Sequence, residues 1–156
     1  MKKIILLSVI ALLLVSSQQL YPADVPLGIQ VKLMLKIVSM DRNFARFGDP
    51  VKIGVSSDEM VKEMTALKGK MKIKGKDFVV SKMGSIDDIP NYKVVYIGKN
   101  WASQYADASA KAAGNKSLVF CQTEDGVLNG GAAVSFKVVG SSPKIVVNLE
   151  NARQQG

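Results

Sequence analysis

Histidine is missing altogether from the 156 residues, and cysteine occurs once, at Cys121. Without imidazole there is no His-based general base, proton shuttle or metal ligand, so Ser-His-Asp and Cys-His catalysis are excluded. One thiol excludes an intramolecular disulfide framework and any thiolate zinc cluster. Aromatic residues are scarce at 6%. No apolar run reaches the roughly 18 residues a membrane-spanning helix requires. What is present is ordinary globular composition, 47% hydrophobic and 22% charged, which excludes a disordered or collagen-like chain. These absences favour a binding module over an enzyme, and nothing in the sequence asks for a cofactor.

The first residues read as an export address. Lys2 and Lys3 precede an almost continuous apolar stretch from Ile4 to Val15. A helix of that length spans about 18 Å, short of a hydrocarbon core of about 30 Å. The pattern is that of a secretory signal peptide covering residues 1–23, cut after Ser17 or after Ala23. No cysteine follows the apolar stretch, so a lipid anchor is not expected. The mature chain, residues 24–156, is then one periplasmic domain that does not span the membrane. At roughly 135 residues it is long enough to build a core without a metal or disulfide staple. Removing Lys2 and Lys3 lowers the formal charge from +8 to +6. A basic exported domain meets anionic envelope surfaces or acidic partners rather than nucleic acid.

Apolar spacing predicts a helix over Gly28 to Met40, with Lys32 and Lys36 on its solvent side. Val51 to Val55 reads as a strand. Ser56 and Glu59 have capping-box spacing for a helix through Met60, Val61, Met64 and Leu67, ending near Gly69. Lys68 to Lys76 holds five lysines in nine residues. It reads as a short edge strand or hairpin arm whose charges keep an exposed edge from pairing. Strands follow at Phe78–Ser81, Lys93–Gly98 and Ser117–Gln122, with a turn over Ser85–Asn91. A helix over Trp101–Ala113 is closed by Gly114, and Thr123–Gly131 reads as a polar loop. Ala133–Val139 and Lys144–Leu149 alternate around a Gly140–Pro143 turn, a hairpin signal, and Glu150 opens a last helix. The fold expected is an α/β three-layer sandwich, with a mostly parallel mixed sheet and a C-terminal antiparallel hairpin.

In such sheets ligands bind beyond the carboxyl ends of the strands. Those ends lead into Ser56 and Ser57, into Lys99 and Asn100, and into Gln122. Ser56 and Asn100 each precede a predicted helix, whose free N–H groups favour an anion. The loop carrying Asn129, Gly130 and Gly131 is expected to approach the same edge. The eight residues outline a crevice for a small anionic or polar ligand. The carboxylate pairs Asp87–Asp88 and Glu124–Asp125 fall in loops and read as turn and cap residues, and Cys121 reads as buried in a core strand.

The closing segment is the most distinctive. Gly130-Gly131-Ala132-Ala133-Val134-Ser135-Phe136, then Lys144-Ile145-Val146-Val147-Asn148-Leu149, then Ala152-Arg153, resembles the end of YfiR/HmsC-like periplasmic proteins. Lys52–Val55 and Val94–Gly98 sit where that family places its first and middle strands. The resemblance implies an exported α/β sandwich without catalytic residues. It also implies an inner-membrane partner, the periplasmic sensor domain of a diguanylate cyclase. Holding that domain inactive lowers cyclic-di-GMP signalling and biofilm formation. Redox gating in the family uses cysteine pairs, so it does not carry over to a chain with Cys121 alone. Family members usually continue into a leucine-rich tail beyond the Ala-Arg helix, a segment this sequence does not include.

Overall fold

A computed structural model describes residues 24–156, so the predicted leader lies outside the described residues. Six strands form one sheet: β1 (Val51–Val55), β2 (Phe78–Lys82), β3 (Val94–Ile97), β4 (Leu118–Cys121), β5 (Val134–Val139) and β6 (Ser142–Val147). Their order is β2-β1-β3-β4-β5-β6, parallel from β2 to β5 and antiparallel between β5 and β6. The helices are α1 (Leu27–Met40), α2 (Asp58–Leu67), α3 (Tyr105–Gly114), α4 (Glu124–Leu128) and α5 (Leu149–Gln154). Short 3₁₀ segments occupy Phe44–Phe47, Ile86–Asn91 and Lys99–Gln104.

Alternation along each strand builds two cores, because successive side chains leave opposite faces of a sheet. Val94, Tyr96, Leu118 and Phe120 point toward α1 and α2, where Val31, Met34, Val38, Met60 and Met64 meet them. Val95, Ile97, Val119 and Cys121 point the other way, against Tyr105, Ala108, Ala112 and Val127. Both faces of β3 and β4 are buried, as expected of central parallel strands. The three-layer α/β architecture with a C-terminal hairpin is as the sequence predicts. Among the described residues no helix is long and apolar enough to cross a membrane.

Four local expectations are corrected. The Thr123–Gly131 stretch contains α4, whose interior Gly126 packs so close to β4 that an added Cβ would meet the Cys121 sulfur at 2.5 Å. The Trp101–Ala113 helix starts as a 3₁₀ turn and becomes α-helical at Tyr105, after a break at Trp101. Gly114 is its last helical residue and Asn115 its cap, with Lys116 beyond it left-handed at φ 56°. The lysine-rich segment is no edge strand. It makes two tight turns, one closed by Lys68 and Met71 and one by Ile73 and Lys76. The second is a minimal hairpin, the other reading of the segment, with Lys74 and Gly75 both at positive φ, as a type I′ turn requires.

The alternating C-terminal hairpin forms, but among the described residues the Ile145 and Val147 face of its last strand is left partly open. Ile145 and Val147 remain 44% and 48% exposed.

Candidate functional site

Five of the eight predicted site residues meet at the strand ends. Ser56 follows β1 and is fully buried; its Oγ accepts the Gly98 N–H at 2.7 Å and donates to Asn100 Oδ1 at 3.1 Å. Asn100 Nδ2 donates back to the Ser56 carbonyl at 2.6 Å. Gln122 Oε1 accepts the Lys99 N–H at 3.0 Å, and the Lys99 ammonium pairs with Asp24. The α2 cap is Ser57 rather than Ser56, one residue later than the spacing predicts. Ser57 Oγ accepts the Met60 N–H at 3.3 Å and donates to Glu59 at 2.8 Å. The Glu59 backbone N–H and that hydroxyl hold the carboxyl of Glu59 below its usual range.

These bonds close the strand ends on themselves. An added Cβ on Gly98 would lie 2.7 Å from Asn100 Oδ1 and 2.8 Å from Ser57 Cβ, so the three loops are packed in contact. Gln122 lines a small adjoining hollow of about 130 Å³ together with Thr123, Glu124 and Lys137. The polar groups that predicted a ligand bond to neighbouring backbone and to one another's or nearby side chains.

Asn129, Gly130 and Gly131 lie elsewhere. Helix α4 carries the chain back along the sheet, and the three residues line a hollow of about 270 Å³ with Ser109 on α3 and Asn151 on α5. Gly131 needs its left-handed φ of 74°, and a Cβ on Gly130 would meet Tyr105 Cβ at 2.5 Å. Gln155, fully buried, bridges this region. Its Oε1 accepts the Val119 N–H and its Nε2 donates to the Gly131 carbonyl, each at 2.9 Å. That amide fills the gap where β4 and β5 pair at one position only, Phe120 with Val134.

The feature that sequence reasoning missed is an apolar groove of about 470 Å³ on the α1 face of the hairpin. Ile37 and Met40 from the end of α1 form one wall, and Val134, Ile145 and Val147 from β5 and β6 form the floor. Leu118 and Ala152 complete it, and Asp41 and Arg46 close one end as an ion pair at 3.0 Å. Arg46 is held firmly. Its guanidinium donates to the Lys116 and Gln155 carbonyls at 2.6 and 2.9 Å and lies 4.5 Å from the centre of the Phe47 ring. Leu149 and Met40 nearby are 67% and 69% exposed. Isolated exposed apolar residues are normal, but a contiguous concave set marks a contact surface. The sequence signal was there in Ile145, Val147 and Ala152, yet only the fold shows that they line one groove left open among the described residues.

Cys121 lies on the far face, fully buried, and burial pushes its thiol up to about 12. Among the described residues no group of three or more Cys, Asp or Glu side chains is placed to hold a metal ion.

No curated protein matches the chain. A family model described as YfiR/HmsC-like matches residues 41–156, which include every strand of the sheet and most of the groove. At the level of that family the role is regulatory and the setting periplasmic. The chain belongs to the YfiR/HmsC-like family.

Proposed function

We propose that this protein is an exported, non-catalytic regulator that binds the periplasmic sensor domain of an inner-membrane signalling protein of the diguanylate cyclase type and restrains it. The observation that carries the reading is the apolar groove between the end of α1 and the β5–β6 hairpin. A groove of this kind accepts an apolar ridge or amphipathic helix from a partner. The residues that carry the family resemblance, Val134, Ile145, Val147 and Ala152, line it. Restraint by binding needs only such a surface, with no nucleophile, acid or base.

The other reading, a small-ligand protein using Ser56, Lys99, Asn100 and Gln122, has less to stand on. Ser56 and Asn100 satisfy one another, Gln122 accepts from backbone, and Lys99 is paired with Asp24. Affinity capture from detergent-solubilised envelope tests the two together, with wild type and Ile145→Lys/Val147→Lys as baits. One inner-membrane signalling protein held by wild type and lost from the double variant supports the proposal. Equal capture by both baits moves the contact away from the groove. A clean eluate, with a thermal shift on adding small anionic metabolites, favours the ligand reading.

A further inference from the structure

A second surface, which meets the apolar groove at Met40, carries charge. A hollow of about 290 Å³ runs between α1 and the segment that follows α2. Lys32 and Lys36 line one side and Lys72 and Lys74 the other, with Leu35 and Met71 at the bottom. All four lysines are exposed and no carboxylate lines the hollow. The acid paired with any of them is Asp77, 3.5 Å from Lys72, in a solvent-exposed contact that contributes little.

The arrangement is built rather than incidental. Lys32 and Lys36 are one helical turn apart and so lie side by side. Lys74 sits in the I′ turn at φ 50°, a conformation unfavourable for a residue with a Cβ, although a neighbouring position already holds Gly75. The turn is held against the body of the fold by Lys76, which donates to the Gly48 carbonyl at 2.8 Å, and by Lys74 and Lys76 over the Phe44 ring at 5.4 and 5.2 Å. Edge protection, the reading the sequence invites for Lys72 and Lys74, does not account for Lys32 and Lys36, which stand on a helix. Ile29 and Met40 share the outer side of α1 with the two lysines and are 39% and 69% exposed.

We infer that this lysine-lined face docks the protein on an anionic phospholipid surface, with Lys32, Lys36, Lys72 and Lys74 at the headgroups and Met40 and Ile29 reaching the interface. Charge complementarity selects the occupant. Residues 24–156 carry a formal net charge of +6, and four of their cations line one hollow to which no carboxylate contributes. Met40 also borders the apolar groove, so docking brings that groove to the membrane. The inference stands on the basic face alone and does not depend on which protein fills the groove.

Sedimentation with vesicles tests it, using the processed protein purified from the cell envelope. The vesicles are phosphatidylethanolamine with roughly a third phosphatidylglycerol, or phosphatidylcholine alone, at about 50 mM and about 500 mM salt. Each lysine near an anionic surface contributes about fivefold in partitioning. Lys32→Gln/Lys36→Gln/Lys72→Gln/Lys74→Gln is therefore expected to bind the anionic vesicles about six-hundredfold less than wild type. Lys82→Gln/Lys111→Gln/Lys116→Gln/Lys144→Gln removes the same charge from other surfaces and is expected to stay within about tenfold. Circular dichroism melts establish that both variants fold. The inference is overturned if wild type ignores the anionic vesicles, if binding persists at high salt, or if the two quadruple variants lose binding equally. It is also overturned if inorganic phosphate alone raises the melting temperature through these lysines while vesicles are not bound.

Discussion

Tyr96 and Gln30 offer a sharp test of how the first helix is held to the sheet. Both side chains are fully buried. The Tyr96 hydroxyl donates to Gln30 Oε1 at 2.8 Å, and Gln30 Nε2 donates to the Val25 carbonyl at 2.7 Å. The chain therefore links β3 through α1 to the beginning of the described domain. Tyr96→Phe keeps the ring and its packing and removes one atom, leaving Gln30 Oε1 buried without a partner. Such an orphan costs about 1–3 kcal/mol. Unfolding entropy for a domain of roughly 130 residues makes each kcal/mol worth about 4 °C in melting temperature. The expected fall is therefore about 4–12 °C. Gln30→Met orphans two groups, the Tyr96 hydroxyl and the Val25 carbonyl, and is expected to cost more. In the double variant only the Val25 carbonyl remains unpaired, so it should be less destabilised than the two single losses summed, by about 1–2 kcal/mol. Thermal and urea melts of the four proteins read this directly. A Tyr96→Phe protein melting within about 1 °C of wild type, or a cycle that is purely additive, refutes the buried link.

Two further expectations follow from buried polar groups. Gln155→Ala leaves the Val119 N–H and the Gly131 carbonyl unpaired and should cost about 2–4 kcal/mol, with faster hydrogen exchange at Val119; unchanged exchange there contradicts the bridge. Cys121 should resist thiol reagents at pH 8 in the native protein and react promptly in denaturant. Its folded-state pKa is raised to about 12 from an ordinary value of 9.0. The unfolded thiol therefore ionises first, and the stability this site contributes is complete below about pH 9 and is lost as pH rises toward about 12. Cys121→Ala should flatten stability across that interval relative to wild type, and an equally steep decline in both proteins contradicts the assignment.

Much of the fold is legible in the chain because both its periodicities are strong. The runs Val94–Ile97 and Leu118–Cys121 are apolar throughout, and such short runs read as buried parallel strands. The hairpin was equally plain from its turn and alternation. Helix α4 was hidden because Gly126 reads as a loop residue, when it is there for its close approach to Cys121. The cap of α2 slipped by one because Ser56 and Ser57 are chemically alike, and only the tertiary bond to Gly98 gives Ser56 a different task. Five of the eight candidate residues gather at the strand ends, but sequence cannot tell a crevice from a set of loops satisfying one another. Both surface features assemble from distant segments. The apolar groove joins α1, β4, β5, β6 and α5, and the basic face joins α1 to a turn some forty residues later.

The central claim is that the apolar groove is where a membrane signalling protein is held. Photo-crosslinking in intact cells tests it most directly, with a photoreactive residue placed singly at positions 40, 145 and 111. Positions 40 and 145 line the groove, and position 111 is exposed on α3, away from it. The account predicts one crosslinked inner-membrane protein from positions 40 and 145 and none from 111. Equal products from all three positions, or a product from 111 alone, contradict it.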